Sequence, residues 1–168
     1  FMPRYKSDLK VFINEHVGKL NADVIKYIIF QILYGLYDAS LLSITHRDIK
    51  PQNILIDADH KIVICDWGIS RFMETSDNMC FTDSVQTLWY RCSELLLGQK
   101  EYNISIDIWS LGLSMAELYN RTPLFPGDSE RDQLFRIFRL FGTPSIDTWS
   151  GIDKLSAYRP NFPQLTAQ

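Results

Sequence analysis

The chain has 168 residues, 46% hydrophobic and 22% charged, which fits one globular domain with a sizeable core and leaves little room for two. Its formal net charge of -3 and the scatter of its Lys and Arg argue against nucleic-acid binding through bulk charge. Cys65, Cys80 and Cys92 are too far apart for a CxxC pair or a zinc-ligand pattern, and read as reduced thiols of an intracellular protein.

Phe1-Met2-Pro3-Arg4 carries no charged-then-apolar signal. Asp8 is placed to cap a helix that follows it. Asn21-Ala22-Asp23 caps a second helix, along which Val24, Ile25, Ile28, Ile29, Ile32, Leu33 and Leu36 recur at helical spacing. Lys26, Gln31 and Gly35 interrupt that run, so no stretch reaches transmembrane length and no membrane association is expected. The runs Ile54-Leu55-Ile56 and Lys61-Ile62-Val63-Ile64 flank Asp57-Ala58-Asp59-His60, predicting a β-hairpin with a polar turn. From Ser70 to Cys92 the periodicity is lost, as in a long functional loop. Ile106 to Leu118 is apolar nearly all round, which predicts a helix buried on every side. Arg121 to Gly127 breaks regular structure. Ser129 with Asp132 three residues on predicts a capping box, opening a helix that bears Leu134, Phe135, Ile137, Phe138 and Phe141 and stops at Gly142-Thr143-Pro144. The whole reads as mainly helical, with one small hairpin between helices.

The chemistry lies between the long helix and the hairpin, in His46-Arg47-Asp48-Ile49-Lys50-Pro51-Gln52-Asn53, and just after the hairpin, in Asp66-Trp67-Gly68. A loop carboxylate, Asp48, can accept the proton of an attacking hydroxyl. Lys50 can neutralise charge on a transferred phosphoryl group, and Asn53 and Asp66 offer hard oxygens suited to Mg²⁺. Phosphoryl transfer needs positioning and charge neutralisation more than covalent help, and these residue types supply both. Taken singly, each is an ordinary polar loop residue; their order and spacing carry the signal.

That ordered set is similar to the catalytic loop and metal-binding triplet of protein kinases. Thr87-Leu88-Trp89-Tyr90-Arg91-Cys92-Ser93-Glu94 resembles the end of a kinase activation loop, and Asp107-Ile108-Trp109-Ser110-Leu111-Gly112 the central C-lobe helix. Pro123 to Glu130, Asp132 to Phe138 and Phe141-Gly142-Thr143-Pro144 resemble cyclin-dependent kinases in particular. The resemblance implies an α+β protein kinase fold. These residues would form the mainly helical C-lobe with its small hairpin, the N-lobe being missing: hinge at about residues 1–7, C-lobe 8–168, last C-lobe helices absent. It further implies ATP- and Mg²⁺-dependent phosphorylation of protein Ser/Thr, proline-directed and cyclin-regulated, in a nuclear or cytoplasmic setting.

Position by position, the resemblance implies that Asp48 is the base, that Lys50 contacts the γ-phosphate and that Thr87 bridges toward both. Asn53 and Asp66 would hold the metal ions. Gln52, Leu55 and Asp8 would contact the nucleotide, Leu55 beneath the adenine and Asp8 near the ribose. Thr82 falls where the family carries its activating phosphothreonine, a gain of about −2 charge, with Arg47 and Arg71 as its cationic partners. Val85 and Arg91 match the pocket for a proline directly after the target residue, which selects a residue lacking an N–H. Asp107 would accept hydrogen bonds from the catalytic-loop backbone, and His46 would be a packed, hydrogen-bonded ring. Implied partners are a cyclin, mainly through the missing N-lobe, a small regulatory subunit near Gly127–Glu130, and Ser/Thr-Pro substrates.

Three departures stand out. Trp67 takes the place of a Phe, so a larger indole must pack where that ring toggles. Cys92-Ser93 replaces Ala-Pro before Glu94. The eight glycines form no GxGxxG and no strand carries Val-Ala-Ile-Lys, so half of the nucleotide site lies elsewhere and the isolated chain is expected to be inactive. A non-catalytic lobe that binds cyclin, adaptor subunits or substrates is the alternative. Ser84 stands where mitogen-activated kinases carry an activating tyrosine, which weakens that assignment.

Overall fold

A computed structural model describes residues 5–72 and 88–168. Thr82, Ser84, Val85 and Thr87 lie outside the described residues. The chain divides into two compact units, Phe1–Met79 with Asn103–Leu124, and Cys80–Tyr102 with Phe125–Gln168. The helices among the described residues are α1 (Leu9–Glu15), α2 (Ala22–Leu41), α3 (Ser93–Leu96), α4 (Ser105–Asn120) and α5 (Glu130–Phe141). The strands are β1 (Ser7–Asp8), β2 (Ile44–Thr45), β3 (Ile54–Ile56), β4 (Ile62–Ile64) and β5 (Arg71–Phe72), in one antiparallel sheet of order β1-β3-β4 and one antiparallel pair β2-β5.

In the first unit, α1, α2, α4 and β3 bury one apolar cluster. Leu9, Ile13, Ile28, Ile32, Ile54 and Leu118 are wholly enclosed, each contributing about 1.5–3 kcal/mol by leaving water. Asn21 caps α2 as its sequence predicts, its side-chain oxygen accepting from the Asp23 N–H at 2.8 Å. The predicted hairpin is β3–β4, closed by Asp57, whose Oδ1 accepts from the N–H groups of Asp59 and Lys61, both at 2.9 Å. Gln31, which interrupts the apolar run of α2, is the clamp that holds this hairpin. Its Nε2 donates to the His60 carbonyl at 2.9 Å and its Oε1 accepts from the Ile62 N–H at 3.1 Å.

Two expectations change. By length and composition α2 is apolar enough to cross a membrane, with a mean hydropathy of 1.2, contrary to the sequence reading. In this fold one face of α2, with Ile25, Ile28, Ile29, Ile32 and Leu36, is core, while Phe30, Tyr34, Tyr37 and Leu41 on the rest of the helix are exposed. Conversely, α4 is not buried all round: Ile108 is 45% exposed, Met115 49% and Tyr119 60%. These positions lie on one helical face, and nothing among the described residues covers it, while Ile106, Leu111 and Leu118 on the other face meet the core.

The end of α4 secures α1. Glu117, fully buried, pairs with Lys10 at 2.5 Å. Arg121, in the left-handed region at φ 65°, donates to the carbonyls of Ile13 at 2.9 Å and Gly18 at 3.0 Å, a cation placed where the α1 carbonyls end.

In the second unit, α5 starts from Ser129, whose Oγ accepts from the Asp132 N–H at 3.2 Å. The reciprocal half of the predicted capping box goes elsewhere, since Asp132 Oδ2 accepts from the Asp128 N–H at 3.3 Å. The same carboxylate takes Arg136 Nε at 2.6 Å, and this guanidinium bond holds the Asp132 carboxyl below its usual range. Leu134, Ile137 and Phe138 face inward, and Gly142 ends the helix at φ 86° as predicted. Cys92 is buried, and desolvation foremost pushes its thiol far above its ordinary value. Iodoacetamide is therefore expected to label Cys65 before Cys92, which reacts only on unfolding; mass spectrometry that finds early Cys92 labelling contradicts this packing.

Candidate active site

The loop between β2 and β3 is held from below by α4. Asp107 is 1% exposed. Its two oxygens accept from the backbone N–H groups of His46 and Arg47, each at 2.8 Å, the role its position implies. Burial pushes the Asp107 carboxyl above its usual range, against the lowering effect of those two N–H groups. The pair of bonds also sustains an uncommon backbone, for Arg47 stands at φ 73°.

His46 is fully buried, and its ring ties the loop to the segment that follows β4. Nδ1 accepts from the Asp48 N–H at 3.2 Å, so the proton belongs on Nε2, which donates to the Cys65 carbonyl at 2.9 Å. This makes His46 a packed histidine rather than an acid or base, as expected.

Asp48 follows. One oxygen, Oδ2, accepts from Lys50 Nζ at 2.7 Å and Asn53 Nδ2 at 2.9 Å. The other, Oδ1, is buried and has no hydrogen-bond partner among the described residues. A buried carboxylate oxygen left unpaired is uncommon enough to need a reason, and an acceptor waiting for a hydroxyl proton is one. The short 3-10 turn Pro51–Asn53 returns the chain so that Asn53 also donates to the Asp48 carbonyl at 2.8 Å. Locally, then, the sequence brings carboxylate, cation and amide together within six residues.

Asp66 arrives from the hairpin. Ile54 pairs with Ile64, and the next residues continue the contact, the Cys65 N–H donating to the Asn53 carbonyl at 2.9 Å. Asn53 and Asp66 thus stand at the same end of the ladder. Asp66 is exposed and held in the left-handed region, φ 63° and ψ 60°. A Cβ at Gly68 would stand 3.3 Å from Asp66 Oδ1, a tight contact that the exposed Asp66 side chain would relieve by a small shift. Neither the Asn53 side-chain oxygen nor the Asp66 carboxylate accepts a hydrogen bond among the described residues. The donor set fits a hard divalent cation.

Trp67 settles where its indole can bond. Its Nε1 donates to the Ile64 carbonyl at 3.1 Å and its ring meets His46 edge-on, centroids 4.5 Å apart. A phenylalanine could make the ring contact but not the hydrogen bond. Trp67→Phe is expected to weaken this turn by about 0.5–1.5 kcal/mol. The readout is faster amide exchange at Ser70, whose N–H donates to the Trp67 carbonyl at 3.0 Å; unchanged exchange would remove the indole bond from the account.

The remaining candidates fall as follows. Leu55 is not a plain core leucine: Ile54 and Ile56 face the core while Leu55 faces the other side, opposite Asp8 across the ladder. Asp8 does cap α1, its Oδ1 accepting from Val11 N–H at 2.8 Å. Gln52 carries a buried side-chain oxygen with no partner among the described residues. Arg71 pairs across from Thr45, and Arg47 reaches the Ile69 carbonyl at 3.2 Å, so β2–β5 draws the two arginines to one edge.

The protein kinase domain model matches residues 2–164 of the chain. The chain belongs to the protein kinase family. The fold is accordingly that of a kinase C-lobe portion, helical with small antiparallel sheets. Protein kinases in general use ATP and Mg²⁺, and Asn53 and Asp66 are the oxygen donors in this kinase that could hold the metal. Three residues were not singled out by sequence: Gln31, Glu117 and Gln133. The only signal for them was a polar residue inside an otherwise apolar helical stripe, which periodicity alone reads as interruption.

Proposed function

We propose that this chain is the C-lobe of a longer serine/threonine kinase of the cyclin-dependent type, proline-directed and cyclin-regulated, acting in the nucleus or cytoplasm. The observation that carries the enzymatic reading is the divided Asp48 carboxylate, one oxygen held by Lys50 and Asn53 and the other buried with no partner among the described residues. Asp48 Oδ1 accepts the proton of the substrate hydroxyl as that oxygen attacks. Lys50 keeps the base oriented and faces the transferring group with positive charge. Asn53 and Asp66 would hold the metal, and Gln52, Leu55 and Asp8 would hold the nucleotide. Mg²⁺-bound ATP supplies the transferable γ-phosphoryl group and much of the charge neutralisation.

The family resemblance assigns Arg47 and Arg71 to a phosphorylated Thr82, Thr87 to Asp48 and Lys50, and Val85 with Arg91 to a proline pocket, Thr82, Val85 and Thr87 lying outside the described residues. Cyclin contacts belong mainly to the N-lobe, with residues 1–7 as hinge, and a small regulatory subunit docks near Gly127–Glu130. The absence of any GxGxxG or Val-Ala-Ile-Lys in these 168 residues favours a second reading, a non-catalytic lobe that binds cyclin, adaptors or substrates. The deciding experiment is transfer of labelled phosphate from ATP to Ser-Pro and Ser-Ala peptides by the full-length protein with Mg²⁺. Preferential labelling of Ser-Pro is expected. No transfer, with peptide still bound, overturns the enzyme in favour of the binding lobe.

A further inference from the structure

Trp89 and Arg91 follow the undescribed part of the activation segment, and both are fastened to the same short stretch of chain. Trp89 Nε1 donates to the Gly127 carbonyl at 2.8 Å. The Gly127 N–H donates to Gln133 Oε1 at 3.0 Å, and Gln133 Nε2 donates back to the Trp89 carbonyl at 3.1 Å. The result is a closed ring of three hydrogen bonds around Gln133, which is itself fully buried. Residue 127 has to be glycine for this to close, since a Cβ there would stand 2.8 Å from the Gln133 backbone nitrogen. Two residues past Trp89, the Arg91 guanidinium meets Glu130 at 2.8 Å, with the Arg91 side chain 9% exposed and Glu130 60% exposed.

A buried guanidinium bonded to a more exposed carboxylate has its direction constrained by that carboxylate. We propose that Glu130 is a positioning residue for substrate specificity: it fixes the orientation of Arg91 in the proline pocket, on a platform made rigid by the Trp89–Gly127–Gln133 ring. This rests on the assignment of Arg91 to that pocket. Glu130 itself touches no substrate. Its influence passes through one ion pair, which bulk salt reaches from the Glu130 side.

The test measures dissociation constants of fluorescent Ser-Pro and Ser-Ala peptides on the full-length protein by anisotropy, and takes their ratio as the discrimination. Glu130→Gln keeps size and removes charge, and is expected to reduce discrimination about fivefold, the scale of a partly exposed ion pair. Glu130→Asp should restore part of it. Wild-type discrimination should fall as KCl is raised, while that of Glu130→Gln stays flat, a difference that a purely structural role would not produce. Arg91→Ala separates the two layers. If it retains discrimination, the pocket assignment fails and this inference falls with it. If it loses discrimination while Glu130→Gln keeps the wild-type ratio at every salt concentration, the pocket stands and the role of Glu130 is overturned.

Discussion

Asp48→Asn is expected, on the proposed role of Asp48 as general base, to lower kcat for peptide phosphorylation by the full-length protein about 10²–10⁴-fold, the usual range for such a base, with KM nearly unchanged. The reason is specific to the geometry. Lys50 and Asn53 both donate to Oδ2, so an amide at position 48 turns its oxygen toward them and leaves its NH₂ where Oδ1 now waits. That group donates and cannot accept, so the hydroxyl proton has nowhere to go. The side chain keeps its volume, the loop keeps its two bonds to Asp107, and the loss appears in kcat rather than in folding. An unchanged kcat in steady-state assays would remove Asp48 from the mechanism.

The second large effect concerns stability. Asp107→Ala is expected to destabilise the protein by about 2–5 kcal/mol, because it strands two backbone N–H groups at the least exposed part of the loop and releases the positive φ of Arg47. Asp107→Asn should cost less, since one amide oxygen still accepts. Urea unfolding measures both, and a loss below about 0.5 kcal/mol for alanine, the level of an ordinary surface change, would sink the idea that α4 organises the loop. The pH dependence has a definite sign. Burial raises the folded carboxyl of Asp107 above its ordinary 3.8, so the native state holds that proton more tightly than the unfolded chain does. Its contribution is fully present below the unfolded value and is lost as pH rises through the folded one. The stability advantage of wild type over Asp107→Asn should therefore narrow from mild acid toward neutrality.

Much of the local structure was legible because its causes are local. The Asn21 cap, the Asp57 turn and the Ser129 cap each join atoms two to four residues apart, and a short polar side chain reaches that far whatever the rest of the chain does. The exposed face of α4 was not legible. Ile108, Met115 and Tyr119 are as apolar as the residues on the buried face, and composition cannot say which side of a uniformly apolar helix finds a neighbour. Gln31 and Gln133 were missed for the converse reason. Each breaks an apolar pattern to satisfy backbone groups far along the chain, 29 and 44 residues away, and no spacing rule within a helix announces such a partner.

For the site, the sequence by itself determined Asp48, Lys50 and Asn53 as one group, since a turn of a few residues is enough to bring their side chains together. Tertiary structure decided the rest. It brought Asp66 to Asn53 through the register of β3 and β4, and it fixed the loop through Asp107, some 60 residues downstream. It also left Asp48 Oδ1 buried with no hydrogen-bond partner among the described residues. Local spacing can assemble donors and acceptors, but only packing against distant elements can exclude water from one of them and leave it ready for a proton.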